Sequence, residues 1–451
     1  MRVPLFFFVL PFALAGACSN PTPLAAGVPL VPDAVVDIAF PDLGTLTLVA
    51  QRLAGAGWLP EGLPLVSQSG LEAAGVGAPV VVAVRASGDI VFAGRLLDPV
   101  HFQLALAAML PPTFHSERRF GHVDAVVDAA GTVAALVRAQ NGVVVVVIAP
   151  VDPWGAATLL EAMGSGSWPA HRRSPTAIEV NTGASLRSHL PGLDALSGTL
   201  KIDGPALRLS LQAHSSGGLE ELIGSLSSSS PSFSCAVEQG AALALRLPPV
   251  GVAAVAGLVD ADSNPMDSFE GRVVLALHEV PAGTPLVEGD KATWASIVVA
   301  GRPRVGGAAA LRQTLAAVGP APVWRRVGAR QVQDLLVADK PWRQVSAVVD
   351  DDIFALAVGA PVVVDAVAVG SVCADVPGRV LFVDGARLLR IVSRAAPEVA
   401  LLRSLGVDGA SMPIVVRALA GVQELEVSAL ARGNTLIDLD LTVVLAPALR
   451  R

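Results

Sequence analysis

Tyrosine is absent from all 451 residues, aromatic side chains make up only 4% of them, and cysteine occurs three times. Such aromatic poverty weighs mildly against carbohydrate platforms and large protein-binding hot spots, both of which lean on Tyr and Trp. A biased genome composition would produce the same depletion, so the weight is small. Charge is sparse as well, at 16% of residues, with 39 Asp and Glu against 32 Lys and Arg. A net charge of −7 without a basic stripe interleaved with aromatics excludes nucleic acid as a partner. Beyond residue 17 no apolar run approaches the roughly 20 residues that a membrane-crossing helix needs. The longest runs, such as Gly142 to Val151, are Val-rich and read as buried strands. Catalytic signatures are missing too: there is no G-x-S-x-G elbow, no phosphate loop, no H-E-x-x-H and no paired C-x-x-C. A dispersed triad leaves no such trace, so a hydrolase stays open as an alternative, although the expectation is a protein without catalysis or cofactor.

What the chain does have is a distinctive beginning, MRVPLFFFVLPFALAGACSN. Arg2 precedes an uncharged stretch from Val3 to Ala17, centred on Phe6, Phe7, Phe8 and Leu10 and ending in small residues. This is the layout of a removable secretory leader over residues 1–17, too short for a permanent span. Its end, Leu14-Ala15-Gly16-Ala17-Cys18, resembles the lipobox of bacterial lipoproteins, with Ala15 where that family usually has Leu. The resemblance implies that Cys18 becomes the lipidated first residue of a mature envelope protein. It also implies sorting to the outer membrane, since Ser19 follows the cysteine. Plain cleavage, giving a secreted or periplasmic soluble protein, is the alternative.

Residues 18–30 are Pro- and Ala-rich without periodicity and read as a tether. The body then opens with a strand at Ala34 to Phe40, a turn at Pro41 and Asp42, and an amphipathic helix carrying Leu46, Leu48 and Leu53. Comparable β-α openings recur at Pro175, at Pro377 and, more weakly, at Gly240. Asn141-Gly142 marks a hairpin within a Val-rich series. These recurrences predict an α+β fold by tandem duplication, two halves of mainly antiparallel sheet with helices packed on one face. The first half is expected over 31–225, a Ser-rich linker over 226–234 and the second half over 235–451. In this rhythm the body also resembles a family of uncharacterised bacterial envelope proteins, which implies no activity and no site residue.

Candidate chemistry is thin. His101, His115 and His122, with Glu117 and Asp124 nearby, would meet at a zinc only if helix and loop converged, and scattered surface histidines are the plainer reading. Asp260, Asp262 and Asn264 start like a calcium loop, but Pro265 and Gly271 break it, so no metal is expected. Asp350-Asp351-Asp352 reads as a hairpin turn, and Arg387, Arg390 and Arg394 as a solvated helix face. With Cys18 lipidated, Cys235 and Cys373 are the two remaining thiols in an oxidising compartment, each in a C-A-x-x-x-G context, and are expected to form a disulfide. The functional expectation is therefore a lipid-anchored envelope protein that binds or scaffolds. Its partners would be the membrane through Cys18 and an unknown protein or apolar ligand, the latter if an aliphatic cleft makes it a carrier.

Overall fold

The computed structural model describes residues 28–29, 31, 34–56, 68–109, 113–140, 142–148, 150–164, 171–172, 177–182, 193–215, 233–249, 265–279, 287–288, 291–292, 295–318, 322–336, 344–359, 361–370, 378–394, 419–432 and 435–446. The expected leader, Cys18, most of the tether, residues 226–232 of the linker and Cys373 lie outside them. The chain forms two compact units, one within residues 1–218 and 448–451, the other within 219–447.

The first unit is built on ten strands: β1 Ala34–Phe40, β2 Val76–Arg85, β3 Ile90–Leu96, β4 Phe114–Phe120, β5 Val123–Asp128, β6 Val133–Gln140, β7 Val143–Ile148, β8 Ile178–Thr182, β9 Leu193–Asp203 and β10 Ala206–Ser215. They pair antiparallel throughout, in the order β10-β9-β8-β1-β2-β3-β7-β6-β5-β4. Alternation sends successive side chains to opposite faces. On one face Val80, Phe92, Val126 and Val137 meet Leu43, Leu46 and Val49 of α1 (Leu43–Gly55), Leu71 of α2 (Gln68–Ala73) and Phe102 of α3 (Pro99–Met109). On the other, Val81, Ala83, Leu136 and Val147 meet Ala156, Ala157 and Leu160 of α4 (Pro153–Gly164).

The second unit holds β11 Ala241–Leu247, β12 Phe269–Glu279, β13 Ala295–Pro303, β14 Val323–Val327, β15 Arg330–Leu336, β16 Gln344–Val349, β17 Phe354–Val358, β18 Arg379–Asp384, β19 Val422–Arg432 and β20 Leu436–Leu445. Their antiparallel order is β20-β19-β18-β11-β12-β13-β17-β16-β15-β14. Here α5 (Ser234–Glu238) and α7 (Pro361–Val369) cover Val274, Ala276, Val298 and Ala355. The opposite face is covered by Leu311 and Leu315 of α6 (Gly307–Val318), over Leu335, Val345 and Ala347, and by Leu388, Ile391 and Val392 of α8 (Gly385–Arg394).

The expected fold class, two duplicated α+β halves with helices on one face, is therefore corrected. Strand accounts for 56% of the structure against 26% helix, which makes antiparallel sheet the body of the molecule. Helices lie against both faces of it. The physical reason is visible in Val143–Ile148, where five successive residues from Val144 to Ile148 are buried. A strand apolar on both sides must be covered on both sides, whereas one-sided cover demands alternation with polar residues.

Candidate functional site

A concavity sits at the end of the second unit's sheet. There β14 is the outermost strand, pairing with β15 alone among the described residues, and Gly328 makes the tight turn between them at φ +60°. Cross-strand pairing sets Trp324 opposite Gln333 and Gln333 opposite Ala347, so one row runs across three strands. Ala347 belongs to the cluster beneath α6, which fixes the side of the sheet on which that row lies. Arg312 of α6 reaches the same side and donates from Nη2 to the Val349 carbonyl at 3.1 Å. Together Arg312, Trp324, Gln331, Gln333, Ala347 and Asp350 contribute to a cavity of about 420 Å³. Ala347 leaves the floor low, Gln333 is nearly buried at 8% exposure, and the Trp324 indole stands 56% exposed at the rim.

Electrostatics separates the arginines around this cavity. Arg325 points to the opposite face, where it donates from Nε to Asp334 at 2.6 Å and pairs with Asp365 of α7 at 2.6 Å. Burial alone would lower its pKa, but the hydrogen bonds that the guanidinium donates to these two carboxylates raise it above the ordinary value. Arg330 donates to the Ala368 carbonyl and to Asp352, each at 3.1 Å. Arg312 and the exposed Arg326, by contrast, have no carboxylate partner among the described residues. Among the described residues the cavity side therefore carries arginine charge that no carboxylate pairs.

A second polar constellation is buried and structural. Glu238 of α5 receives the Arg246 guanidinium through both carboxylate oxygens, the Nη2–Oε2 bond measuring 2.9 Å, and also Nη1 of Arg379 at 3.0 Å. Arg379 continues to Glu426 at 3.0 Å and lies over the Phe382 ring. Arg246 is 1% exposed and Glu238 5%. Charges buried this deeply persist only when paired, so the cluster ties α5 to β11, β18 and β19. His278 completes it through a 2.9 Å hydrogen bond between Nε2 and the Val237 carbonyl. Burial holds the His278 pKa below its ordinary value, the Val237 bond opposing and Arg387 reinforcing the shift.

The residues singled out by sequence fall as follows. Cys235 opens α5 and is disulfide-bonded, while its expected partner Cys373 and the lipid acceptor Cys18 lie outside the described residues. The histidines do not converge. His101 Nδ1 meets Asp98 at 2.6 Å, His115 stands 3.9 Å from Glu117, and His122 donates its backbone N–H to Glu161 at 2.6 Å. No group of three metal-ligating side chains occurs among the described residues. Asp260, Asp262 and Asn264 lie outside them, and Glu270 pairs with Arg302 at 3.0 Å. Asp350 to Asp352 form the β16–β17 turn, closed by a 2.8 Å bond from the Asp350 N–H to the Ile353 carbonyl. On α8, Arg387 pairs with Asp384 and Arg390 with Glu279. Sequence reasoning missed Arg312, Trp324, Arg326, Gln331 and Gln333, which belong to no motif. The signal available was the strand QVQDLL, whose Gln331 and Gln333 share a face with the buried Leu335.

Among the described residues no helix is long and apolar enough to cross a membrane. No family model and no curated protein matches the chain. Among solved structures, crystal form IV of TP0453, a spirochete envelope-associated protein, aligns at 13% identity with a TM-score of 0.28, over 44% of this chain and 84% of that one. Crystal form III of the same protein aligns at 12% identity and 0.27, over 42% and 82%. A likeness this slight transfers neither fold nor role.

Proposed function

We propose that this chain is a non-catalytic binding protein of the cell envelope, held to the membrane by a lipid on Cys18 and binding a polar ligand in the cavity beneath Trp324. The observation that carries the binding reading is that cavity of about 420 Å³, whose size suits a small molecule. Guanidinium, indole and amide groups contribute to its lining, which favours a polar occupant over the apolar one a carrier would shelter. The lining holds no serine, histidine or cysteine, so it offers a nucleophile–base pair nowhere. The leader supports the envelope location, as does the disulfide at Cys235, since such bonds persist in oxidising compartments. Cys373 is its proposed partner.

Two measurements on the native protein test this reading. Detergent-extracted wild-type chain and a Gln333→Leu variant are purified in parallel, and co-purifying small molecules are identified by mass. A polar compound present with wild type and missing from the variant supports the reading; an apolar compound retained by both overturns it in favour of a carrier. Fatty-acid labelling should disappear in Cys18→Ser, and unchanged labelling would remove the anchor.

A further inference from the structure

We propose that the cavity takes a hydroxylated carboxylate, the chemistry of an acidic saccharide, with Arg312 meeting the carboxylate, Trp324 lying against the sugar ring and Gln331 and Gln333 serving the hydroxyls. This rests on the cavity being the binding site. Charge is the first argument. Of the arginines at this end of the sheet, Arg325 is neutralised by Asp334 and Asp365, and Arg330 by Asp352 with Asp350 close by at 3.7 Å. Among the described residues Arg312 donates only to a backbone carbonyl, which leaves most of its five N–H groups and its charge without a carboxylate there. Arg326, two residues along β14 from Trp324 and on the same side of the sheet, is outside the cavity lining but adds a second exposed guanidinium with no carboxylate partner among the described residues. Guanidinium binds carboxylate in a two-point, charge-assisted geometry.

The second argument is the indole. In a chain without tyrosine, an apolar ring 56% exposed beside two glutamines is badly placed for water and well placed for the C–H face of a ring that carries polar groups at its edges. The mild case against carbohydrate made by overall aromatic content therefore fails at this one position. Glutamine amides supply the third argument, because each both donates and accepts, as a sugar hydroxyl does. A bare inorganic anion would use the arginines and leave indole and amides idle.

Titration of the full mature chain with oligogalacturonate, neutral malto-oligosaccharide and inorganic phosphate, read by tryptophan fluorescence and calorimetry, tests the inference. Oligogalacturonate should bind and change the emission, and Trp324→Leu should abolish both. Arg312→Gln should weaken binding by about tenfold or more, the loss expected for a hydrogen-bonded charge. Arg208→Gln, which alters a surface arginine of the first unit, should change nothing, and thermal melting confirms that each variant is folded. Equal binding of the neutral sugar, insensitive to Arg312→Gln, would overturn the carboxylate assignment while leaving the cavity as the site. Phosphate that binds and displaces the sugar would show a simple anion site and overturn the saccharide. If none of the three binds while a co-purifying compound still depends on Gln333, the ligand class is wrong and the binding reading survives.

Discussion

Both sheets end in an edge hairpin backed by a third strand, and the two ends are finished with different chemistry. In the first unit the row facing the α3 side runs Ser116, Val126, Ala135, and Val126 is sealed into the core at 1% exposure. One step outward, Arg118 lies opposite Asp124 and pairs with it at 3.4 Å. In the second unit the row facing α6 runs Trp324, Gln333, Ala347, and one step outward Arg326 lies opposite Gln331. A valine closes the first row; an amide and an indole hold the second open. A carboxylate cancels the first arginine, and an uncharged amide leaves the second uncancelled. The backbone arrangement thus permits either a closed end or a binding end, and a few side chains on the outer strands decide which. A parallel contrast runs through the ion pairs. Arg138 and Glu161 of the first unit meet at 2.6 Å, the arginine buried but the carboxylate still 36% exposed, whereas both Arg246 and Glu238 of the second are buried.

The largest expected effect comes from the buried pair. Glu238→Ala takes the bidentate carboxylate from the buried Arg246 and one of its two carboxylates from Arg379, and should cost about 3–5 kcal/mol in chemical denaturation. Glu161→Ala removes a half-exposed carboxylate from the buried Arg138, which keeps Gln140 and the Leu160 carbonyl, and should cost less, about 1–2 kcal/mol. Equal costs would erase the contrast between the two networks. Next, Gln333→Val gives the second row the residue that closes the first. It should abolish ligand binding, a loss beyond about tenfold, while stability moves by less than about 1 kcal/mol, since exchanging a buried amide for an apolar group is nearly neutral when its partners are not stranded. Retained binding would show that the row does not decide the site.

Acidification should separate the units more gently. Because burial depresses the His278 pKa below its ordinary 6.5, the unfolded chain takes up the proton first, so stability is intact above about pH 6.5 and falls as pH drops beneath it. His278→Gln should flatten that slope in stability measured across pH 5–7, and an unchanged slope would clear His278 of the role. For Glu161 burial opposes ionisation, but the His122 N–H and the Arg138 guanidinium outweigh it and hold the carboxyl below its ordinary 4.5. Its contribution is present above that value and lost below it, so Glu161→Gln should change only the acid limb, by the smallest amount of these variants. A change above pH 6 would contradict the assignment.

Much of the local structure was legible in the sequence. The strand Ala34–Phe40 announced itself by pattern, and Asn141-Gly142 by turn chemistry, with Gly142 at φ +73° as a tight hairpin requires. The layering was not, because alternating segments such as Leu436–Leu445 spell one covered face, while the solid valine run of Val143–Ile148 requires cover on both. Similar words can also mislead. VDAVVD at Val123 and VSAVVD at Val345 look like counterparts, yet β5 pairs with β4 and β6 while β16 pairs with β15 and β17, one place further along. Any strand with a β-branched face spells such a word wherever it lies. The candidate site was hidden for a related reason. Arg312, Trp324 and Gln333 come from a helix and two strands, and only the cross-strand register brings them to one cavity.

The central claim is that the second unit's sheet end binds and the first unit's does not. Hydrogen–deuterium exchange on the mature chain, with and without saturating oligogalacturonate, tests it most directly. Slower exchange across residues 323–349 with no change across 114–140 is the predicted result. Slowing across 114–140, or across neither stretch while calorimetry still records binding, would contradict it.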